Sequence, residues 1–409
     1  MKRAYKYRIY PTEEQKKHFS ICFGAVRWFY NYALDEIKTH YEENKEKIKA
    51  KEVKPLTAKY NIARELPQLK KEEKTSWLGL ADSSCLIYAS EALDNAYKKF
   101  FKKQGGYPKS KSPKYGKSYT VQINYQFTSD DIDWKNGLVR IGKAGFVKFV
   151  FHRRFKGVVK AITVSKKSYD FYEASILVDD NFTPINKKEH TEEGTIGIDL
   201  GIKSDGNAIL SDGTKFETIK ALKETKRIKR LQKKLTKKQW IKTGEMKFSK
   251  KYGKDVEVKK PSKNYIKLKD KIAKLQDKIA RKRSYNTHAI TSYVTKNDDF
   301  DTVAIENLNV KGMTKNHYLA NSVSNANMGE IKRQIEYKCD WYGKNLIQVD
   351  RFYPSSQICS NCGYQNKKLK DLKIRKWVCP ICGSEHDRDV NAAINMKKEG
   401  HRILSEGKQ

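Results

Sequence analysis

Hydrophobic and polar positions alternate over the first ten residues, with Tyr5, Tyr7 and Ile9 set among Lys and Arg, and this predicts a short strand ending at Pro11. Thr12 then has the features of a helix N-cap. Gln15 completes a capping box three residues on, and Glu13 and Glu14 occupy the first turn. Phe19, Phe23, Val26 and Tyr30 recur at helical spacing and share one face. Further helices are expected over 57–66 and 83–103, the second burying Leu86, Ala89, Leu93, Ala96 and Phe100. The run Gly105-Gly106-Tyr107-Pro108 breaks the pattern, and period-two runs at 119–125, 147–151 and 158–164 predict strands. A β-rich body over 106–182, joined by the N-terminal strand, is the simplest assembly, followed by a polar linker at 184–194.

Beyond residue 195 strands and helices alternate. Ile196, Ile198 and Leu200 mark a first strand, 207–210 a second reached through Asp205-Gly206, and Asp212-Gly213 turns the chain into a third. A basic insertion follows, in which Ile228, Leu231 and Leu235 form one apolar seam and Leu268, Ile272, Leu275 and Ile279 another. They predict a helical hairpin joined by a polar loop at 244–261, either solvated or facing nucleic acid. Val303-Ala304-Ile305 reads as a buried strand, 331–342 as a helix and 346–349 as another strand.

Composition adds the first functional signal. The 409 residues hold 85 Lys+Arg against 48 Asp+Glu, a net charge of +37, which a nucleic acid would neutralise. The 24 Tyr, 16 Phe and 6 Trp suit base stacking as well as core packing and argue against a simple charge-packaging protein. No apolar run approaches the roughly 20 residues of a membrane-spanning helix and no secretory signal core follows Met1, so a cytoplasmic chain with no membrane partner is expected. In that compartment Cys22, Cys85 and Cys339 are expected to be reduced, buried thiols.

The other four cysteines form two C-x-x-C pairs, Cys359/Cys362 and Cys379/Cys382, separated by sixteen residues and each followed by a glycine, Gly363 and Gly383. That is the spacing of a zinc ribbon, in which four thiolates close a tetrahedral, structural Zn²⁺ site. Three acids are candidates for phosphodiester hydrolysis, which needs carboxylates converging from separate elements on two Mg²⁺ (or Mn²⁺) ions about 4 Å apart. Asp199 interrupts the apolar strand IGIDLG, Glu306 ends VAIENL at a carboxyl edge, and Asp389 precedes a short helix in HDRDVNAA. Two have a plainer explanation, Asp199 as an exposed-face residue and Asp389 as an acidic N-cap. Their order is the layout of ribonuclease H-like nucleases.

The segments IGIDLGIKSDGNAILSDG, FDTVAIENLNVKGM, EIKRQIEYKCDWYG, FYPSSQICSNCG and HDRDVNAAINM together resemble TnpB, a transposon-encoded relative of type V CRISPR nucleases, and YKYRIYPTEEQ resembles that family's opening strand. The resemblance implies an α+β multidomain fold. A split β-barrel wedge domain (1–11 and 106–183) would surround a helical recognition domain (12–105). After the linker would come a ribonuclease H-like RuvC α/β domain (195–354 and 386–409) holding a basic helical hairpin (221–284) and an inserted zinc ribbon (355–385) that binds target nucleic acid. It further implies catalytic, Mg²⁺-binding roles for Asp199, Glu306 and Asp389, the last preferred over Asp387. The implied partners are a guide RNA from the transposon's end and double-stranded target DNA, read through guide pairing and a short flanking motif, with a functional link to a transposase. A compact CRISPR effector and a non-cutting repressor are the alternatives, the second disfavoured by the intact triad. The sequence departs from the family at the long 244–261 loop and at 324–329, SNANMG, where Asp-x-x-Trp-Gly is usual.

Overall fold

The computed structural model describes residues 2–113, 117–123, 127–128, 131–202, 206–219, 221–237, 240–249, 254–371 and 373–407, in two compact units, Met1–Thr183 and Pro184–Gln409. In the first unit β1 (Lys2–Tyr10) leads through the expected capping box into α1 (Glu13–Glu43): the Gln15 N–H donates to Thr12 Oγ1 at 3.3 Å, and the Thr12 N–H donates to Gln15 Oε1 at 3.0 Å. Phe19, Phe23, Val26 and Tyr30 all lie buried along α1. A short α2 (Lys45–Lys49) follows.

The helix expected over 57–66 is not formed. The Thr57 N–H donates to Asn61 Oδ1 at 2.9 Å, so the side chain competes with helical pairing, and only a 3₁₀ turn at Ile62–Glu65 and a four-residue α3 (Leu66–Leu69) appear. The helix over 83–103 forms as α4 (Ser83–Phe101), with Leu86, Ala89 and Leu93 buried and Ala96 and Phe100 half-buried. Six further strands complete this unit: β2 (Lys117–Gln122), β3 (Ile132–Asp133), β4 (Leu138–Arg140), β5 (Phe146–Val150), β6 (Val158–Lys166) and β7 (Tyr172–Asp179). Their sheet runs β2-β6-β7-β1-β5-β4-β3, so the N-terminal strand lies at its centre, antiparallel to both β5 and β7. Tyr125, within the expected 119–125 strand, lies outside the described residues.

In the second unit residues 184–194 contain no helix or strand, yet Thr191 is anchored: its N–H and hydroxyl both donate to Asp301 Oδ2, at 3.0 and 2.8 Å. A meander follows, β8 (Thr195–Leu200), β9 (Ala208–Leu210) and β10 (Lys215–Phe216); Asp205 of the expected turn lies outside the described residues. α5 (Leu222–Thr236) then packs on α6 (Lys263–Lys296) through Ile228, Leu231, Leu235, Ile272, Leu275 and Ile279, as the seams predict except for Leu268, which lies outside this cluster. The connection between them is not a loop. β11 (Trp240–Ser249) and β12 (Lys254–Pro261) form an antiparallel ribbon with a register shift between Lys242 and Met246 around Gly244, whose φ is +75°. The alternation Asp255-Val256-Glu257-Val258 is the period-two signal that Lys-rich composition obscured.

β13 (Thr302–Glu306), α7 (Val310–Lys315), α8 (Ala320–Ala326), α9 (Met328–Tyr342) and β14 (Asn345–Val349) follow. The chain then makes a small ribbon, β15 (Lys376–Val378) with β16 (Glu385–Asp387), and enters α10 (Arg388–Ser405). The main sheet of this unit has the order β10-β9-β8-β13-β14, with β8, β13 and β14 parallel and the meander antiparallel. Both faces of its centre are covered, which explains the nearly continuous apolar runs of β8 and β13. Ile196, Ile198, Leu200, Val303 and Ile305 pack with Ile290 and Val294 of α6 and Ile331, Ile335 and Cys339 of α9. The opposite face carries α10, seated through small residues. A Cβ on Gly197 would collide with the Ala393 carbonyl and the Lys397 nitrogen, and one on Gly400 would collide with Ala304.

Candidate active site

The register of β8 against β13 pairs Gly197 with Ala304 and Ile198 with Ile305, so the next residues along the two parallel strands are Asp199 and Glu306. Strand side chains alternate, so Asp199 lies on the same face as Gly197, and Glu306 on the same face as Ala304. That is the face beneath α10. Asp389 lies one turn before Ala393 on the row that touches Gly197, so the glycine contact brings the first turn of α10 over the carboxyl ends of both strands.

The electrostatics agree with this placement. Asp199 is pushed up to about 7, first by removal from water and then by the charges of Asp389 and Glu306, while Arg388 and Arg375 oppose the rise. Burial likewise raises Glu306. Three acids from well-separated parts of the sequence therefore share one electrostatic neighbourhood. Their oxygens do not converge on a single point: among the described residues, the groups whose ligand atoms all lie within 4.8 Å of one another are Cys359/Cys362/Cys379/Cys382 and His18/Cys22/Asp82.

Asp389 does not cap a short helix, as its position suggested. It lies inside the 18-residue α10, and Asp387 is the N-cap, with Oδ1 accepting from the N–H groups of Asp389 (3.0 Å) and Val390 (3.2 Å) and Oδ2 2.8 Å from Lys215 Nζ. Both oxygens of Asp387 are thus in use. Asp389 Oδ1 instead faces Arg375 Nη1 at 3.1 Å. Sequence reasoning did not single out Arg375, because nothing local separates it from the other cations. At 324–329 the unusual residues make a helix–helix joint: Asn327 has a φ of +56°, its Nδ2 donates to Thr287 Oγ1 at 2.8 Å, and Asn325 Oδ1 accepts from Arg283 at 2.6 Å.

The four cysteines meet in two matching knuckles. In each the first cysteine accepts at its carbonyl from the glycine N–H, Gly363 to Cys359 and Gly383 to Cys379, both at 2.9 Å, and the glycines have φ of +78° and +70°. Sγ atoms lie 3.6 Å apart for Cys359/Cys382 and for Cys362/Cys379. A tetrahedron with metal–sulfur bonds of ~2.3 Å has edges of ~3.8 Å, so the sulfurs suit a four-thiolate metal site. His386 Nε2 lies 3.1 Å from Cys359 Sγ, where it can orient the thiolate from outside. The knuckles are tied to α10: Asn391 Oδ1 accepts from the Ser360 N–H at 2.9 Å, its Nδ2 donates to the Ile358 carbonyl at 2.7 Å, and the buried Arg388 donates to the Asp371 carbonyl at 2.7 Å.

Two family models match, a helix-turn-helix domain over residues 1–46 and the Cas12f1-like TNB domain over 329–396. The first span is a strand and one long helix here, whatever the domain's name suggests. The second covers α9, β14, the knuckles and the first half of α10. A Streptomyces pristinaespiralis protein named "Putative RNA-guided DNA endonuclease" is 32% identical over 405 residues, 98% of this chain and 90% of the relative. The chain belongs to the TnpB family. InsQ of Escherichia coli K12, which carries the same name, is 28% identical across 100% of this chain and 95% of its own, and the mimivirus TnpB-like protein L79 is 24% identical across 97% and 72%. For this TnpB protein the fold also resembles the protein in a cryo-EM structure of a Cas12f1–sgRNA–target DNA complex, with a TM-score of 0.54 at 15% identity, covering 97% of this chain and 98% of that one.

Proposed function

We propose that this TnpB protein is an RNA-guided DNA endonuclease whose cutting centre is Asp199, Glu306 and Asp389. The observation that carries the reading is the shared electrostatic neighbourhood of these acids, two on adjacent parallel strands and one in the first turn of the helix covering them, within a chain of net charge +37. The three side chains would hold two divalent ions, Mg²⁺ or Mn²⁺, which when bound supply an activated water and charge stabilisation of the leaving oxygen. The chain's own contribution is placement. The parallel register sets Asp199 beside Glu306, and the Gly197 contact sets the height of Asp389. Arg375 holds one Asp389 oxygen and offers positive charge beside the scissile phosphate. Asp387, with both oxygens engaged, keeps the helix start in place. The four thiolates of Cys359, Cys362, Cys379 and Cys382 would hold a structural Zn²⁺ that keeps the knuckles against α10.

A transposon-end guide RNA and double-stranded target DNA are the partners, with the guide supplying sequence specificity. The test is cleavage of a plasmid library with randomised flanks by protein co-expressed with its native downstream RNA, comparing wild type with Asp199→Ala in Mg²⁺. Guide- and flank-dependent breaks absent in the variant are expected. Target binding without breaks by the wild type would favour a repressor, and RNA-loaded, folded protein that neither binds nor cuts would sink the assignment.

A further inference from the structure

The first unit contains a second convergence of metal-ligating atoms. His18 and Cys22 lie one turn apart on α1, and Asp82 and Cys85 flank the start of α4 in a D-x-x-C spacing. His18 Nε2 lies 3.1 Å from Asp82 Oδ2 and 3.4 Å from Cys22 Sγ, and Cys22 Sγ lies 3.7 Å from Asp82 Oδ2. Around tetrahedral zinc, bond lengths of ~2.0 Å to nitrogen and oxygen and ~2.3 Å to sulfur give edges of ~3.3 to 3.6 Å. The triangle therefore matches one face of such a tetrahedron to about 0.2 Å, as closely as the knuckle sulfurs match theirs. Cys85, fully buried in the first turn of α4 and adjacent to Cys22, lies outside this triangle and would have to turn its side chain to supply a fourth ligand.

Three features set this cluster apart from an ordinary ion pair or a nucleophilic triad. A triad needs the carboxylate on one ring nitrogen and the thiol on the other, whereas both approach Nε2 of His18. An ion pair of His18 with Asp82 leaves the two thiols unexplained. Asp82 also stands at the N-cap of α4 without capping it. Its Oδ1 instead accepts from the Lys143 N–H at 2.6 Å, and this leaves Oδ2 aimed at His18 and Cys22. Cys22, Cys85 and Asp82 are buried, so an ion held there would be shielded from solvent.

We propose that His18, Cys22 and Asp82 form a second, structural zinc site that clamps α1 to α4, with the neighbouring Cys85 turning in as the fourth ligand. Zinc is the metal this mixed nitrogen, sulfur and oxygen set favours. The test is zinc content of the full-length chain purified without chelator in an Asp199→Ala background, which keeps the carboxylate centre from contributing. About two zinc ions per chain are expected, falling to one in Cys359→Ser/Cys379→Ser and, at the other site, to one in His18→Asn/Asp82→Asn. One zinc in the parent, lost with the knuckle cysteines, would overturn the proposal even if the helical variants failed to fold. So would a single zinc accompanied by a Cys22–Cys85 disulfide in non-reducing peptide mapping. The count is independent of cleavage, so it stands or falls apart from the nuclease reading.

Discussion

At Asp199 the proton is retained up to about pH 7, so the carboxylate that a divalent ion needs is lost as pH falls through neutrality. Cleavage measured at limiting Mg²⁺ should therefore drop below pH 7 and recover at higher Mg²⁺, since bound metal competes with the proton. The folded-state pKa lies above the unfolded value of ~3.9, so the native chain binds the extra proton between about pH 4 and 7, and this group's contribution to stability is lost as pH rises through that window. Without metal, Asp199→Asn should stabilise the fold at pH 8 by about 2 kcal/mol, less than full linkage because the side chain is still partly open to water, while abolishing cleavage. Thermal melts with and without Mg²⁺ check both signs. Arg375→Ala should lower the cleavage rate ~100-fold with target affinity unchanged, and Arg375→Lys should recover part of it, because one cation can still face Asp389. That these three carboxylates share one neighbourhood was legible because each stands out against an apolar run or at a helix start. Arg375 was not, and neither was the meeting of Cys22 with Asp82 and Cys85, because those contacts join α1 to the start of α4 across a stretch with no shared pattern.

Among the elements, α10 governs whether the site assembles. Gly197→Ala would force a Cβ into the Ala393 carbonyl and the Lys397 nitrogen, neither of which can yield without moving the helix. A loss of about 2–3 kcal/mol and of all detectable cleavage is expected, read by denaturant melts and plasmid nicking. The knuckles reach the same helix through Asn391, Arg388 and Arg375. Cys359→Ser/Cys379→Ser, which removes half of the proposed thiolate set, should therefore silence cleavage in excess Mg²⁺ while leaving guide-RNA binding intact. Local patterns predicted these elements wherever the signal was local: the Thr12 capping box, the α5 and α6 seams, the two glycine-bearing knuckles. They failed at 57–66, where Asn61 diverts the backbone, and at 244–261, where lysines masked a strand pair.

For the whole molecule, the excess of positive charge predicts salt-sensitive binding. If six to ten phosphates are contacted, affinity for guide RNA should fall ~10³ to 10⁵-fold between 50 and 200 mM salt, measurable by filter binding. The order of strands in either sheet was not legible, because β1 sits between β7 and β5, and β8 beside β13, through pairings no local window contains. The ribbon of β11 and β12 shows the converse. Among the described residues its strands pair only with each other, and Trp240 stands opposite Pro261 at its base, so the chain departs and returns at neighbouring points, ~5 Å apart. A host that sees only two adjacent chain ends is indifferent to what lies between them. This is a place where descendants can lengthen, shorten or discard a segment without renegotiating the core, and where a foreign domain with close termini can be spliced in as a passenger.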